Sequence, residues 1–291
     1  MTDNTRWVET LEAHDGIELY CQFYPSPAPT SVLLTVHDYG QHSGAYEKAH
    51  ERMVNAGFNV YTIDLRGHGK SPGERAAIDH FDDFLDDLDL LYARMQDREG
   101  DRPIFLLGQG MGSLIALRYA LTRKLRIHGL ILCGGLPELP MNSKERLLAQ
   151  YAALFLSRIE ANAEARELLL SPALSGVLKD DELAFRGAVK AKTIWELNAV
   201  RNSLATVSPL LNFPVLCLSS EKDLPAMDRL NENLLSHDKT LIAYAGVSHQ
   251  PLIGSEREEV VEIIIEWCGQ KIERVEIDEE WGDDEDSDDS L

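Results

Sequence analysis

The chain has 291 residues, 44% of them hydrophobic, and a formal charge of −21. That length supports one large core, or one core with an insertion, and the negative balance argues against nucleic acid as a partner. No run of about 18 apolar residues occurs, so no transmembrane helix is expected. The polar stretch from Met1 to Glu9 lacks the apolar run of a secretory leader.

Charge is unevenly placed. Residues 276–291 hold ten acidic side chains and no basic one, so they supply −10 and the remainder −11. Such a segment is expected to be disordered and solubilising, with docking of a protein partner as its other reading. Cys21, Cys133, Cys217 and Cys268 show no C-x-x-C spacing. They read as reduced core thiols of a cytoplasmic protein, and no metal or cofactor is expected.

In chain order, Glu12 to Phe23 alternates as a hairpin around Asp15-Gly16. Val32 to Val36 is a buried strand that runs into the polar loop His37 to Gly44. Tyr46 to Ala56 has helix spacing and ends at Gly57. Asn59 to Ile63 is the next strand, followed by Asp64-Leu65-Arg66-Gly67-His68-Gly69-Lys70-Ser71. Phe81, Phe84, Leu85, Leu88, Leu91, Tyr92 and Met95 repeat at helical intervals over Asp79 to Met95. Ile104 to Leu107 and Ile127 to Cys133 are further apolar strands, with a helix over Leu114 to Leu121 between them.

The alternation then stops. Residues 137–208 carry helical patterns and no convincing strand, including a stripe of Leu147, Leu148, Tyr151, Leu154, Phe155 and Ile159 and a second pattern over Glu182 to Leu197. Strands resume at Pro214 to Leu218 and Thr240 to Ala243, with helices over Met227 to Leu235 and Glu256 to Cys268. Alternating strands and helices imply a mostly parallel sheet covered on both faces. The expected divisions are a core over 1–136, a helical cap over 137–208, the rest of the core over 209–275, and an acidic tail over 276–291.

In such sheets ligands sit at the carboxyl ends of the strands, and the chemically interesting residues cluster there. The stretch Gly108-Gln109-Gly110-Met111-Gly112 has the strand–turn–helix context of G-x-S-x-G, in which a strained turn lifts a serine above the sheet. Its centre is Gly110, which carries no nucleophile.

Four segments together resemble the α/β-hydrolase superfamily, and within it the monoacylglycerol lipase and lysophospholipase group often described with the serine aminopeptidases. His37 to Tyr46 resembles that group's H-G-x-G-E-H-S-G-x-Y loop, with Asp38 in place of glycine. Asp64 to Gly73 follows D-x-R-G-H-G-x-S-x-G. Gly108 to Ser113 resembles G-H-S-M-G-G, departing at Gln109, Gly110 and Ser113. Glu221-Lys222-Asp223 and Gly246-Val247-Ser248-His249 look like the acid and base loops.

The resemblance implies an α/β-hydrolase fold, an acid at Asp223, a base at His249, and a nucleophile position held by Gly110. It also implies oxyanion donors in the amides of Tyr39 and Met111. Acyl transfer by this route needs an oxygen nucleophile deprotonated by an imidazole, and Gly110 supplies none. Ser113, one helical turn further on, reads as a small packing residue. Glycine accepts a strained turn at little cost, so the fold is expected to survive the change. Asp38 either points inward, where it disfavours a developing oxyanion, or faces solvent. Asp64, Arg66 and His68 read as ties between loops.

The cap stripe either lines an acyl pocket or packs on the core. The expected protein is a weak or inactive serine hydrolase that binds a small ester or lipid-like ligand, or a protein partner through cap or tail. The alternative is a hydrolase or lyase in which His249 and Asp223 act as a general base without a covalent intermediate.

Overall fold

The computed structural model describes residues 6–134, 160–161, 169, 178–204, 210–246 and 250–282. Eight strands form one sheet: β1 (Trp7–Glu12), β2 (Glu18–Tyr24), β3 (Ser31–Val36), β4 (Phe58–Ile63), β5 (Ile104–Gln109), β6 (Gly129–Cys133), β7 (Val215–Ser220) and β8 (Lys239–Tyr244). Their spatial order is β1-β2-β4-β3-β5-β6-β7-β8, and only β2 runs against the rest. This is the mostly parallel, doubly covered architecture of an α/β-hydrolase.

Strands β3 to β7 are buried at every residue, as parallel strands covered on both faces must be. On one face lie α1 (Glu47–Asn55) and α6 (Arg257–Gly282), whose Met53, Val54, Val260, Ile264 and Trp267 meet Phe58 and Phe105. On the other, α2 (Asp82–Glu99) and α3 (Met111–Thr122) bring Leu88, Leu91, Met95 and Leu114 against Leu34, Leu106 and Leu132. Each buried aliphatic side chain contributes roughly 1.5–3 kcal/mol. Two further helices are α4 (Ala191–Leu204) and α5 (Leu224–Asn233). No helix among the described residues is long and apolar enough to cross a membrane.

The helix expected over Met227 to Leu235 runs instead over Leu224–Asn233, with Leu235 in a short strand, and four larger departures follow. Strand β1 begins at Trp7, so the hairpin is longer than Glu12 to Phe23 suggested. Helix α3 begins at Met111, directly after the turn residue. Glu182 to Leu197 is not one helix. The residues before Ala191 are held in irregular backbone by tertiary bonds: Phe185 donates to the Gly40 carbonyl at 2.7 Å, and Arg186 donates to the carbonyls of Leu178 and Lys179. These bonds override the local helical pattern. Helix α6 continues to Gly282, so the acidic segment starting at 276 is helical at first rather than disordered. No proline interrupts that segment, and Glu276, Glu279 and Glu280 favour helix. The Leu147 to Ile159 stripe, His249 and residues 283–291 lie outside the described residues.

Loops at the carboxyl edge are tied by charged groups. Asp64 accepts from the Ser43 and Lys70 amides, and Ser71 Oγ links the Asp64 carbonyl to the Tyr20 amide. Arg66 makes a two-pronged contact with Asp87 at 2.7 and 2.6 Å and reaches Asp15 at 2.9 Å. Burial lowers the Arg66 affinity for its proton, but its three carboxylates, Asp87, Asp83 and Asp15, more than offset this and raise it overall.

Four buried cysteines stay unpaired, and burial pushes the Cys217 thiol up to about 12. Burial lowers His37, His50 and His68 to about 3, against about 6.5 in an unfolded chain. Their contribution is therefore complete above about pH 6.5 and is lost progressively as pH falls toward 3. The unfolded chain takes up protons there that the folded chain refuses. Urea unfolding between pH 7 and 5 is expected to show stability falling by about 1 kcal/mol per pH unit for each histidine. His50→Phe, which keeps the ring contacts to Tyr24 and Tyr46, is expected to flatten that slope by one such increment.

Candidate active site

Register places the site. Val36 at the end of β3 pairs with Gly108 near the end of β5, so the two chains leave the sheet side by side. Two residues later they present Asp38 and Gly110. Gly108 and Gly112 permit the close approach: a β-carbon at 108 would strike the Gly112 carbonyl, and one at 112 the Val36 carbonyl.

Gly110 has φ 57° and ψ −117°, and α3 starts on the next residue. This is the tight strand-to-helix turn of a nucleophile elbow, in a conformation that favours glycine. Its amide donates to the Cys133 carbonyl at 3.0 Å. Ser113 is fully buried. Its Oγ donates to the Gly108 carbonyl at 2.7 Å and accepts from the Cys133 amide at 3.0 Å. That hydroxyl stitches α3 to β5 and β6 and is turned away from the turn's tip.

Asp38 points inward. Its Oδ1 accepts from the Tyr39 amide and the Met111 amide, both at 2.7 Å, and its Oδ2 accepts from Gln250 Nε2 at 3.1 Å. Only 9% of Asp38 remains exposed. A β-carbon on residue 110 would overlap the Asp38 carboxyl carbon and both its oxygens. Of the two orientations open to Asp38 from sequence, the solvent-facing one is not adopted. Bonds to an ionised acceptor are shorter and stronger than neutral ones, and the carboxylate also meets the positive end of α3.

The surrounding polar groups form a connected frame. The Asp38 amide and Gln109 Nε2 both donate to Tyr46 Oη, which donates in turn to Gln41 Oε1 at 2.6 Å. Gln109 Oε1 accepts from the Leu252 amide. Burial pushes the Tyr46 phenol well up, keeping it protonated. His37 accepts from the Leu65 amide at Nε2, so its Nδ1 carries the proton and donates to the Asp38 carbonyl at 2.8 Å. Above the loop, Phe185 stands edge-on to Tyr39, and His42 Nε2 meets Asp181 Oδ2 at 2.8 Å.

Gly110, Tyr39 and Met111 are thus adjacent. Asp223 lies just past the end of β7, two strands from β5 on the same edge, half-buried at the start of α5, where it accepts from Ser220 Oγ at 2.8 Å. His249 lies outside the described residues, while its neighbour Gln250 reaches Asp38. Sequence reasoning did not single out Gln250 or the Tyr46–Gln109 link. The available signal was Gln109 itself, a departure from the family motif at a buried position. Among the described residues no group of three His, Cys, Asp or Glu side chains could hold a metal ion.

Ser113→Ala is expected to lower unfolding free energy by about 1 kcal/mol, because it removes the buried bonds of that hydroxyl to the Gly108 carbonyl and the Cys133 amide. Denaturant titration checks this.

The chain matches the family model described as serine aminopeptidase, S33 (Hydrolase_4) over residues 27–257. It is 30% identical over 246 residues to the monoglyceride lipase of Homo sapiens, covering 81% of this chain and 80% of that one. It is 24% identical over 277 residues to the monoacylglycerol lipase of Mycolicibacterium smegmatis, covering 92% and 98%. The crystal structure of Paleococcus ferrophilus monoacylglycerol lipase superposes with a TM-score of 0.74 at 26% identity, covering 87% of this chain and 99% of that one. The chain therefore belongs to the serine aminopeptidase S33 family of α/β-hydrolases, alongside the monoglyceride lipases.

Proposed function

We propose that this protein is a monoglyceride-lipase-like α/β-hydrolase without serine-hydrolase turnover, which uses the retained shell to bind a small ester or lipid-like molecule or a protein partner. One observation carries the reading: Gly110 occupies the elbow turn, so no side chain stands at its tip. Ser113 does not substitute, since its hydroxyl is engaged within the core. In serine hydrolases, loss of the nucleophile lowers kcat by about 10⁶-fold. In those enzymes free oxyanion donors and binding still supply about 10³–10⁴-fold over water, but here the Tyr39 and Met111 amides are already engaged by Asp38.

The relatives named as monoglyceride and monoacylglycerol lipases favour a ligand with an acyl chain and a polar head. The 178–190 segment, packed on the His37 to Gly44 loop through Phe185 and Asp181, would cover such a ligand from above.

Purified protein is expected to show no hydrolysis of p-nitrophenyl butyrate or monoacylglycerol above background, and no labelling by a fluorophosphonate. Robust hydrolysis that disappears in His249→Ala overturns the reading. Turnover that depends on His249 but resists the fluorophosphonate would instead establish His249 and Asp223 as a base acting without a covalent intermediate.

A further inference from the structure

We propose that Asp38 is a tethered occupant of the acyl-oxygen site, and that a carboxylate at 38 and any side chain at 110 exclude one another. The site would then be closed by this carboxylate as well as by the loss of its nucleophile. This rests on the reading above, because it takes the Tyr39 and Met111 amides to be the family's oxyanion donors.

The geometry points to it directly. The two amides come from different elements, one after β3 and one opening α3, yet both end on Asp38 Oδ1 at 2.7 Å. That is the distance and convergence required to hold a developing oxyanion. The position is already filled by an oxygen of like charge. The Asp38 carboxyl carbon, moreover, lies where a β-carbon on residue 110 would fall. Asp38 thus has room only because residue 110 is glycine.

Gln250 bonds the second carboxylate oxygen, so the group is clamped from both sides. A free carbonyl or carboxylate would have to displace an acceptor that is covalently attached and correctly aimed. Such an intramolecular competitor acts at a very high effective concentration. Two of the departures from the family pattern, Asp38 and Gly110, are in this view one structural change.

A double-mutant comparison tests the exclusion. Any side chain at 110 meets the same unfavourable φ whatever stands at 38, so the difference between backgrounds reports the overlap with Asp38 alone. Gly110→Ala and Gly110→Ser are each expected to lower Tm by about 4 °C or more beyond the drop seen in the Asp38→Gly background. Asp38→Gly by itself should also lower Tm, since it removes an acceptor at the start of α3.

Activity supplies the second readout. The Asp38→Gly/Gly110→Ser protein is expected to be labelled by a fluorophosphonate and to hydrolyse p-nitrophenyl butyrate at least about 10²-fold faster than Gly110→Ser alone. The proposal is overturned if substitutions at 110 cost the same Tm in both backgrounds, or if Gly110→Ser alone matches the double variant. A double variant that is folded but inert, with equal Tm costs, overturns it as well. Ester hydrolysis by the unaltered protein would sink the functional reading instead, and is read out separately.

Discussion

The convergence of two backbone amides on one oxygen of Asp38 organises the strand-end region of this protein. In a working serine hydrolase such amides wait for charge that develops during reaction. Here they hold a side-chain oxygen that belongs to the chain itself. The interaction fixes the loop after β3, the first turn of α3 and, through Gln250, the chain that follows β8. Charge-assisted bonds of this kind are each worth about 1.5–3 kcal/mol when buried, so a group that would obstruct acyl chemistry instead stabilises the fold.

That arrangement depends on a frame of polar ties around it. Asp64 and Ser71 tie the β4 loop to β2 and to Ser43, and Arg66 anchors it to Asp87 on α2. His37 is locked in one tautomer between the Leu65 amide and the Asp38 carbonyl. Burial holds His37 neutral, with its proton affinity lowered to about 3. The motifs that mark the family therefore act here largely as positioning elements, which explains how the sheet edge keeps its shape with Gly110 at the turn.

Much of this was legible in the sequence. Apolar runs such as Val32–Val36 and Ile104–Leu107 read as strands buried on both faces, and the glycines around 110 announced a tight turn. Helix α2 followed from its periodic Phe, Leu and Met positions. What could not be read was governed by tertiary contact. The stretch from Glu182 has helical spacing, but the Gly40 carbonyl and the Arg186 guanidinium hold its backbone in another shape. The inward orientation of Asp38 depends on the β3–β5 register, which no local pattern encodes. The roles of Gln109 and Gln250 were hidden for the same reason: each bonds a partner more than 60 residues away in sequence.

The overlap at the turn ties two positions 72 residues apart in the chain. A serine placed at 110 would meet the Asp38 carboxylate already in its place, while loss of Asp38 alone would strip two amides of their acceptor. Each single substitution is disfavoured by what stands at the other position. Packing therefore couples positions 38 and 110, so that the cost of a change at either one is set by the residue at the other.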